Sequence, residues 1–78
     1  MNYLKPLQKN GVYSEDLEDI AKLLEDRASS KGFKHPQSVY HSMAVDLALG
    51  TLEMKTEAES ELGKSHSLKD WLAIILGQ

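Results

Sequence analysis

The segment from Pro36 to Leu62 most constrains the fold of this chain, because its apolar residues recur at helical spacing without a strong break. Proline is well accepted at a first helical position, and Gly63 marks the expected end of the helix. A continuous helix over residues 36–62 has about 26 residues and a length of roughly 39 Å. The rest of a 78-residue chain must then pack along this helix.

Two sets of apolar residues lie on different sides of this predicted helix. One set is Val39, Met43, Leu47, Met54, Ala58 and Leu62, and the other is Val45, Leu49 and Leu52. Between residues 43 and 54 the helix is therefore apolar around most of its circumference. A helix of this kind is normally enclosed by neighbours on several sides.

Gly50 lies in the middle of the segment, where glycine costs about 1 kcal/mol relative to alanine. Two interpretations are open. Either Gly50 allows another helix to approach closely, or the segment breaks there into two helices. One continuous helix is favoured, because neither a proline nor a second capping residue follows Gly50.

A first helix is predicted over about residues 15–30. Ser14 is placed to cap it, and acidic residues in its first turn complement the helix dipole. Gly32 is expected just beyond its end, with Phe33 packing back across that end. Residues 1–13 are expected to form an extended lead-in, because an early proline and an Asn-Gly pair interrupt any regular pattern there.

A third helix is predicted over residues 68–76, where Ser67 and Asp70 form a capping box and the following residues are apolar on nearly every side. No strand pattern and no cysteine are present. The sequence therefore predicts a single all-α domain over residues 1–78, a small three-helix bundle with a long central helix and with a break near Gly50 as the open alternative.

The net charge of −3 is unevenly distributed, and half of the 12 acidic residues lie on the first helix. The acidic residues proposed there as a partner-binding face are Glu15, Asp16, Glu18, Asp19, Glu25 and Asp26. An acidic chain is a poor candidate for general nucleic-acid binding, so a protein partner is expected.

A short basic connector over residues 27–41 supplies the alternative. Its cations Arg27, Lys31 and Lys34 are candidate phosphate contacts of a nucleic-acid-associated regulator. A simpler interpretation is preferred, in which cations near the C-terminus of a helix stabilise that helix.

The sequence lacks the residue patterns that catalysis and metal binding would need. The histidines His35, His41 and His66 do not have the spacing of a zinc site. Glutamates at helical spacing leave a third hypothesis, a divalent-metal-dependent hydrolase, but a solvated acidic face explains them more simply. With no cysteine and no glycine-rich phosphate loop, we expect no enzyme activity, cofactor or metal.

Self-association is expected to cover surplus apolar surface on the second and third helices. The residues assigned to it are Val45, Leu49, Leu52, Trp71 and Ile75. A homodimer built on them would enlarge a marginal core, because a core of this size rarely contributes more than about 3–5 kcal/mol. The alternative is a monomer in which the lead-in residues cover the same surface.

These features predict a non-enzymatic interaction protein, that is, a small regulator, adaptor or inhibitor of a larger partner. It would use the acidic face of the first helix and an apolar helical surface. An acidic helix can occupy a basic surface that normally receives nucleic acid, and small acidic proteins of phages and plasmids offer an analogy. The absence of a signal peptide pattern and of a long apolar run predicts a soluble, cytoplasmic protein.

Overall fold

A computed structural model describes residues 4–63 and 66–77, and this part of the chain contains four α-helices and no strand. The helices are α1 (Leu4–Lys9), α2 (Ser14–Ser30), α3 (Gln37–Leu62) and α4 (Leu68–Leu76). The predicted all-α class is confirmed. Gly50 does not interrupt α3, so the second helix is continuous as favoured from the sequence.

The predicted extended lead-in is wrong, because its middle folds as α1. Pro6 lies in the first turn of α1, where its missing N–H has no helical acceptor in any case. The turn that follows is the expected one: Gly11 has φ +83°, and the Val12 N–H donates to the Leu7 carbonyl at 2.9 Å. Leu7 and Val12 are both fully buried, and their burial holds this segment against the rest of the chain.

Helix α2 begins with Ser14, so Tyr13 rather than Ser14 is its N-cap residue. The capping contact is a hydrogen bond from the Tyr13 backbone N–H to Asp16 Oδ2, at 2.8 Å. Gly32 lies beyond the other end with φ +84°, as predicted. Its N–H donates to the Ser29 carbonyl and the Phe33 N–H to the Ala28 carbonyl, as in a Schellman motif.

The ends of α3 and α4 follow their local sequence signals. Pro36 immediately precedes α3, and Gly63 ends it with φ +66° and an N–H that donates to the Glu59 carbonyl. The Ser67 hydroxyl accepts a hydrogen bond from the Asp70 N–H at 3.1 Å, which caps α4. Glycine is favoured at position 63 because a Cβ strains the left-handed backbone conformation.

The core lies on one side of α3, where α2, α4 and α1 pack against it. Its buried hydrophobic residues are Leu7, Val12, Leu17, Ile20, Ala44, Val45, Ala48, Leu68 and Leu72. Ala44 and Ala48 are small, and Thr51 beside them satisfies its buried hydroxyl on the Leu47 carbonyl at 2.7 Å. Small side chains on the inner side of α3 allow close packing of the neighbouring helices.

The molecule is thin. Its principal-axis extents are 41, 29 and 16 Å, and packed helices lie about 8–10 Å apart, so the smallest dimension accommodates two helical layers. Helix α3 is therefore covered from one side, although its sequence predicts neighbours on several sides.

Candidate functional site

The outer face of α3 carries three of the exposed large hydrophobic side chains in the described part of the chain. We define it by Val39, Met43, Gly50 and Met54, which recur at intervals of four, seven and four residues and so lie along one side of the helix. The side chains of Val39, Met43 and Met54 are 38%, 46% and 52% exposed. Residues 39 and 54 are separated by about 22 Å along the helix axis.

A row of acidic residues runs beside this outer face. Asp46, Glu53 and Glu57 each follow an outer-face position by three residues, and all three are exposed. We call them the acidic row. Within residues 4–63 and 66–77 none of them forms an ion pair. The outer face is thus apolar in its middle and negatively charged along one edge.

Gly50 lies at the centre of the outer face and is exposed. A Cβ built at this position meets no other atom within 4 Å. Packing within the described chain therefore does not require glycine here. Of the two interpretations open from the sequence, the break is wrong, and no described residue makes a close approach to Gly50.

The residues predicted for self-association lie elsewhere. Val45 is 7% exposed and belongs to the core, so its assignment to a surface between two chains is corrected. Leu49 and Leu52 are half-buried against the core, and Trp71 and Ile75 on α4 are also half-buried. The core uses this second apolar set of α3 together with Leu47 of the first set, and it leaves Met43 and Met54 exposed. The homodimer itself stays a prediction.

The acidic residues of α2 do not form one continuous face. Glu18 and Glu25 line a groove of about 500 Å³ against the start of α3, together with Lys22, Tyr40 and His41. Tyr40 is 2% exposed, and its buried hydroxyl has no hydrogen-bond partner among the described residues. Since that oxygen is itself inaccessible, the groove does not present it to a ligand.

The other acids of α2 have different surroundings. Asp16 and Asp19 line a second groove, of about 280 Å³, against α4. Asp16 also caps α2 and lies 3.3 Å from the Lys69 ammonium, so contacts within the chain occupy it. Glu15 and Asp26 are exposed and available to a partner. The predicted acidic face is therefore divided between two grooves and the outermost side of α2.

One of the three cations of the basic connector is engaged by a contact within the chain. The Arg27 guanidinium donates a hydrogen bond to the Leu76 carbonyl at the end of α4. Lys31 and Lys34 are exposed. Phe33, which was expected to pack across the end of α2, is 58% exposed, so that part of the prediction is wrong. The Schellman hydrogen bonds seal this end through the backbone and do not require the aromatic ring.

The histidines lie in separate places. The His35 ring contacts the Tyr40 ring edge-to-face at 6.1 Å, the His66 ring contacts the Trp71 ring at 6.4 Å, and His41 lines the larger groove. Among residues 4–63 and 66–77, no three histidine or carboxylate side chains come together as a metal-binding group.

None of the helices in the described part of the chain is both long and apolar enough to cross a membrane. Comparisons with protein-family models, with curated protein sequences and with solved structures find no match to the chain. The outer face of α3 and its acidic row are thus the main basis for a functional proposal.

Proposed function

We propose that this chain is a non-enzymatic protein-interaction module that docks on a larger partner through the outer face of α3. The observation that carries the proposal is the line of exposed Val39, Met43 and Met54 along one side of the helix. Several exposed apolar side chains on one side of a helix are typical of interaction sites in small proteins. Methionine suits such a surface, because its flexible thioether side chain adapts to the shape of a partner.

The exposed acids of α2 contribute to this function from a distance. Glu15 and Asp26 carry negative charge on a side of the molecule away from the core. Such charge speeds the approach to a basic surface even where it adds little to the final affinity. A small regulator, adaptor or inhibitor that competes for a basic surface on a nucleic-acid enzyme is the concrete form of the proposal, by analogy alone.

Site-specific photocrosslinking in the native cell tests the proposal. A photoreactive residue in place of Met43 should give a covalent adduct with a second polypeptide, which mass spectrometry then identifies. Gln8 on α1 is the matched control, because it is also exposed but lies outside the outer face of α3. Equal adduct formation at the two positions, or none at position 43, would contradict docking through this face.

A further inference from the structure

We infer that the partner segment on the outer face of α3 is a cationic amphipathic α-helix that crosses α3 at Gly50. This inference rests on the proposed function, because it names the occupant of the same face. Three features carry it: the unneutralised acidic row, the glycine at the centre of the outer face, and the mismatch between this face and a second copy of itself.

The acidic row favours a partner that carries positive charge. Lys55 is the lysine of α3, and its ammonium lies 2.5 Å from Glu59 Oε1 with the side chain only 13% exposed. The Lys55 side chain therefore lies away from the acidic row and does not neutralise it. Asp46, Glu53 and Glu57 remain charged at the edge of an apolar surface, where a docked helix with lysine or arginine along one edge would pair with them.

Gly50 favours a helix rather than a bulky loop as the partner segment. Glycine in the interior of an exposed helix is unfavourable, and no contact with the described residues 4–63 and 66–77 requires it. Gly50 has no Cβ, and the space where a Cβ would lie is open. Small residues at a crossing point allow two helix axes to come unusually close.

The length of the outer face sets the size of the partner segment. Residues 39 to 54 cover about four helical turns, so a crossing helix of about 15 residues would contact the whole face. Its apolar residues would recur at intervals of three and four, as in other helix-in-groove complexes.

A second copy of this chain fits the face poorly in an antiparallel arrangement. In an antiparallel pair of α3 helices related by a two-fold axis, corresponding edges meet, so one acidic row would lie beside the other. Like charges on adjacent edges repel, and Lys55, whose ammonium is paired with Glu59, does not offset them.

Binding of two synthetic peptides to the full chain tests the inference. Both are helical peptides of about 18 residues with leucines at intervals of three and four. One carries lysines along the edge of the leucine stripe, and the other carries glutamates at the same positions. Fluorescence anisotropy should show the lysine peptide binding about tenfold more tightly than the glutamate peptide, with a difference that shrinks as salt is added.

Charge reversal on the chain separates a local effect from a change in net charge. Glu53→Lys with Glu57→Lys should reverse the preference between the peptides. Glu15→Lys with Asp26→Lys makes the same change in net charge on α2 and should leave the preference nearly intact. Gly50→Ala should weaken the lysine peptide severalfold while the helical content of the free chain is retained, which circular dichroism checks.

The outcomes distinguish this inference from the proposed function. Equal binding of both peptides at the outer face would overturn the cationic partner and leave docking on that face standing. Crosslinking between two copies through position 43, with a dimer mass in solution, would replace the partner helix by a second copy. Failure of both peptides to bind, together with a crosslinked partner that presents an acidic segment, would also overturn the inference.

Discussion

The Lys69 ammonium on α4 lies 3.3 Å from Oδ1 of Asp16 on α2, while Oδ2 of the same carboxylate accepts the Tyr13 backbone N–H at 2.8 Å. One side chain thus joins two helices and caps one of them. The two contacts differ in strength. The ammonium is well exposed, so the ion pair contributes little, whereas the backbone N–H has no helical acceptor without Asp16.

Asp16→Ala is therefore expected to lower the free energy of unfolding by about 1 kcal/mol, mostly through the lost cap. Lys69→Ala, which removes only the ion pair, should lower it by less than about 0.5 kcal/mol. Urea denaturation followed by circular dichroism measures both changes. A larger loss for Lys69→Ala than for Asp16→Ala would show that the ion pair, not the cap, is the stabilising contact.

The local signals for helix ends were the most predictable part of the fold. Gly32, Gly63 and Ser67 have the backbone conformations or hydrogen bonds that the sequence indicates, because caps depend on a few neighbouring residues. Helix α1 was not predicted, since it is short and its position depends on burial of Leu7 and Val12 by distant parts of the chain.

The outer face of α3 could be predicted only in part. The sequence shows apolar residues on two sides of the helix but not which side the core takes. That choice depends on tertiary packing, where Ala44 and Ala48 form the inner side against the other helices. The exposed Gly50, with acids three residues after Met43 and Met54, was the available signal for an outward-facing surface.

Gly50 and Gly63 form a matched pair of glycines for a stability test. Gly50→Ala is expected to raise the free energy of unfolding by about 1 kcal/mol, because the new methyl group meets no atom and alanine favours the helix. Gly63→Ala should lower it by about 1 kcal/mol, because φ at this position is +66°. Thermal unfolding of the two variants should shift in opposite directions. A shift in the same direction would contradict this account of α3.

Leu72 and Ile74 test the division of α4 into an inner and an outer side. Leu72 is 4% exposed and belongs to the core, whereas Ile74 is 58% exposed. Leu72→Ala should cost about 2–5 kcal/mol and leave much of the population unfolded, given a core worth about 3–5 kcal/mol. Ile74→Ala should change the free energy of unfolding by less than about 0.5 kcal/mol. Comparable losses in urea denaturation would indicate that Ile74 is covered in solution, for example by a second chain.

Arg27 ties the end of α2 to the end of α4 through its hydrogen bond to the Leu76 carbonyl. Arg27→Ala should therefore speed amide hydrogen exchange in the last turn of α4 and lower the free energy of unfolding by about 0.5–1.5 kcal/mol. Lys31→Ala is the control, because Lys31 is exposed in the same connector. If amide hydrogen exchange in α4 is unchanged after Arg27→Ala, the packing of α4 alone holds that helix in place.

The association state decides between the homodimer predicted from the sequence and the partner helix inferred for the outer face of α3. The partner-helix inference favours a monomer, because Val45 is buried in the core and two acidic rows would repel one another in an antiparallel pair. Sedimentation equilibrium at high micromolar concentration should give a mass near 8.7 kDa. Met43→Glu should leave this mass unchanged, because the residue lies outside the core. A dimer mass that Met43→Glu reduces to that of the monomer would show that two chains associate through the outer face.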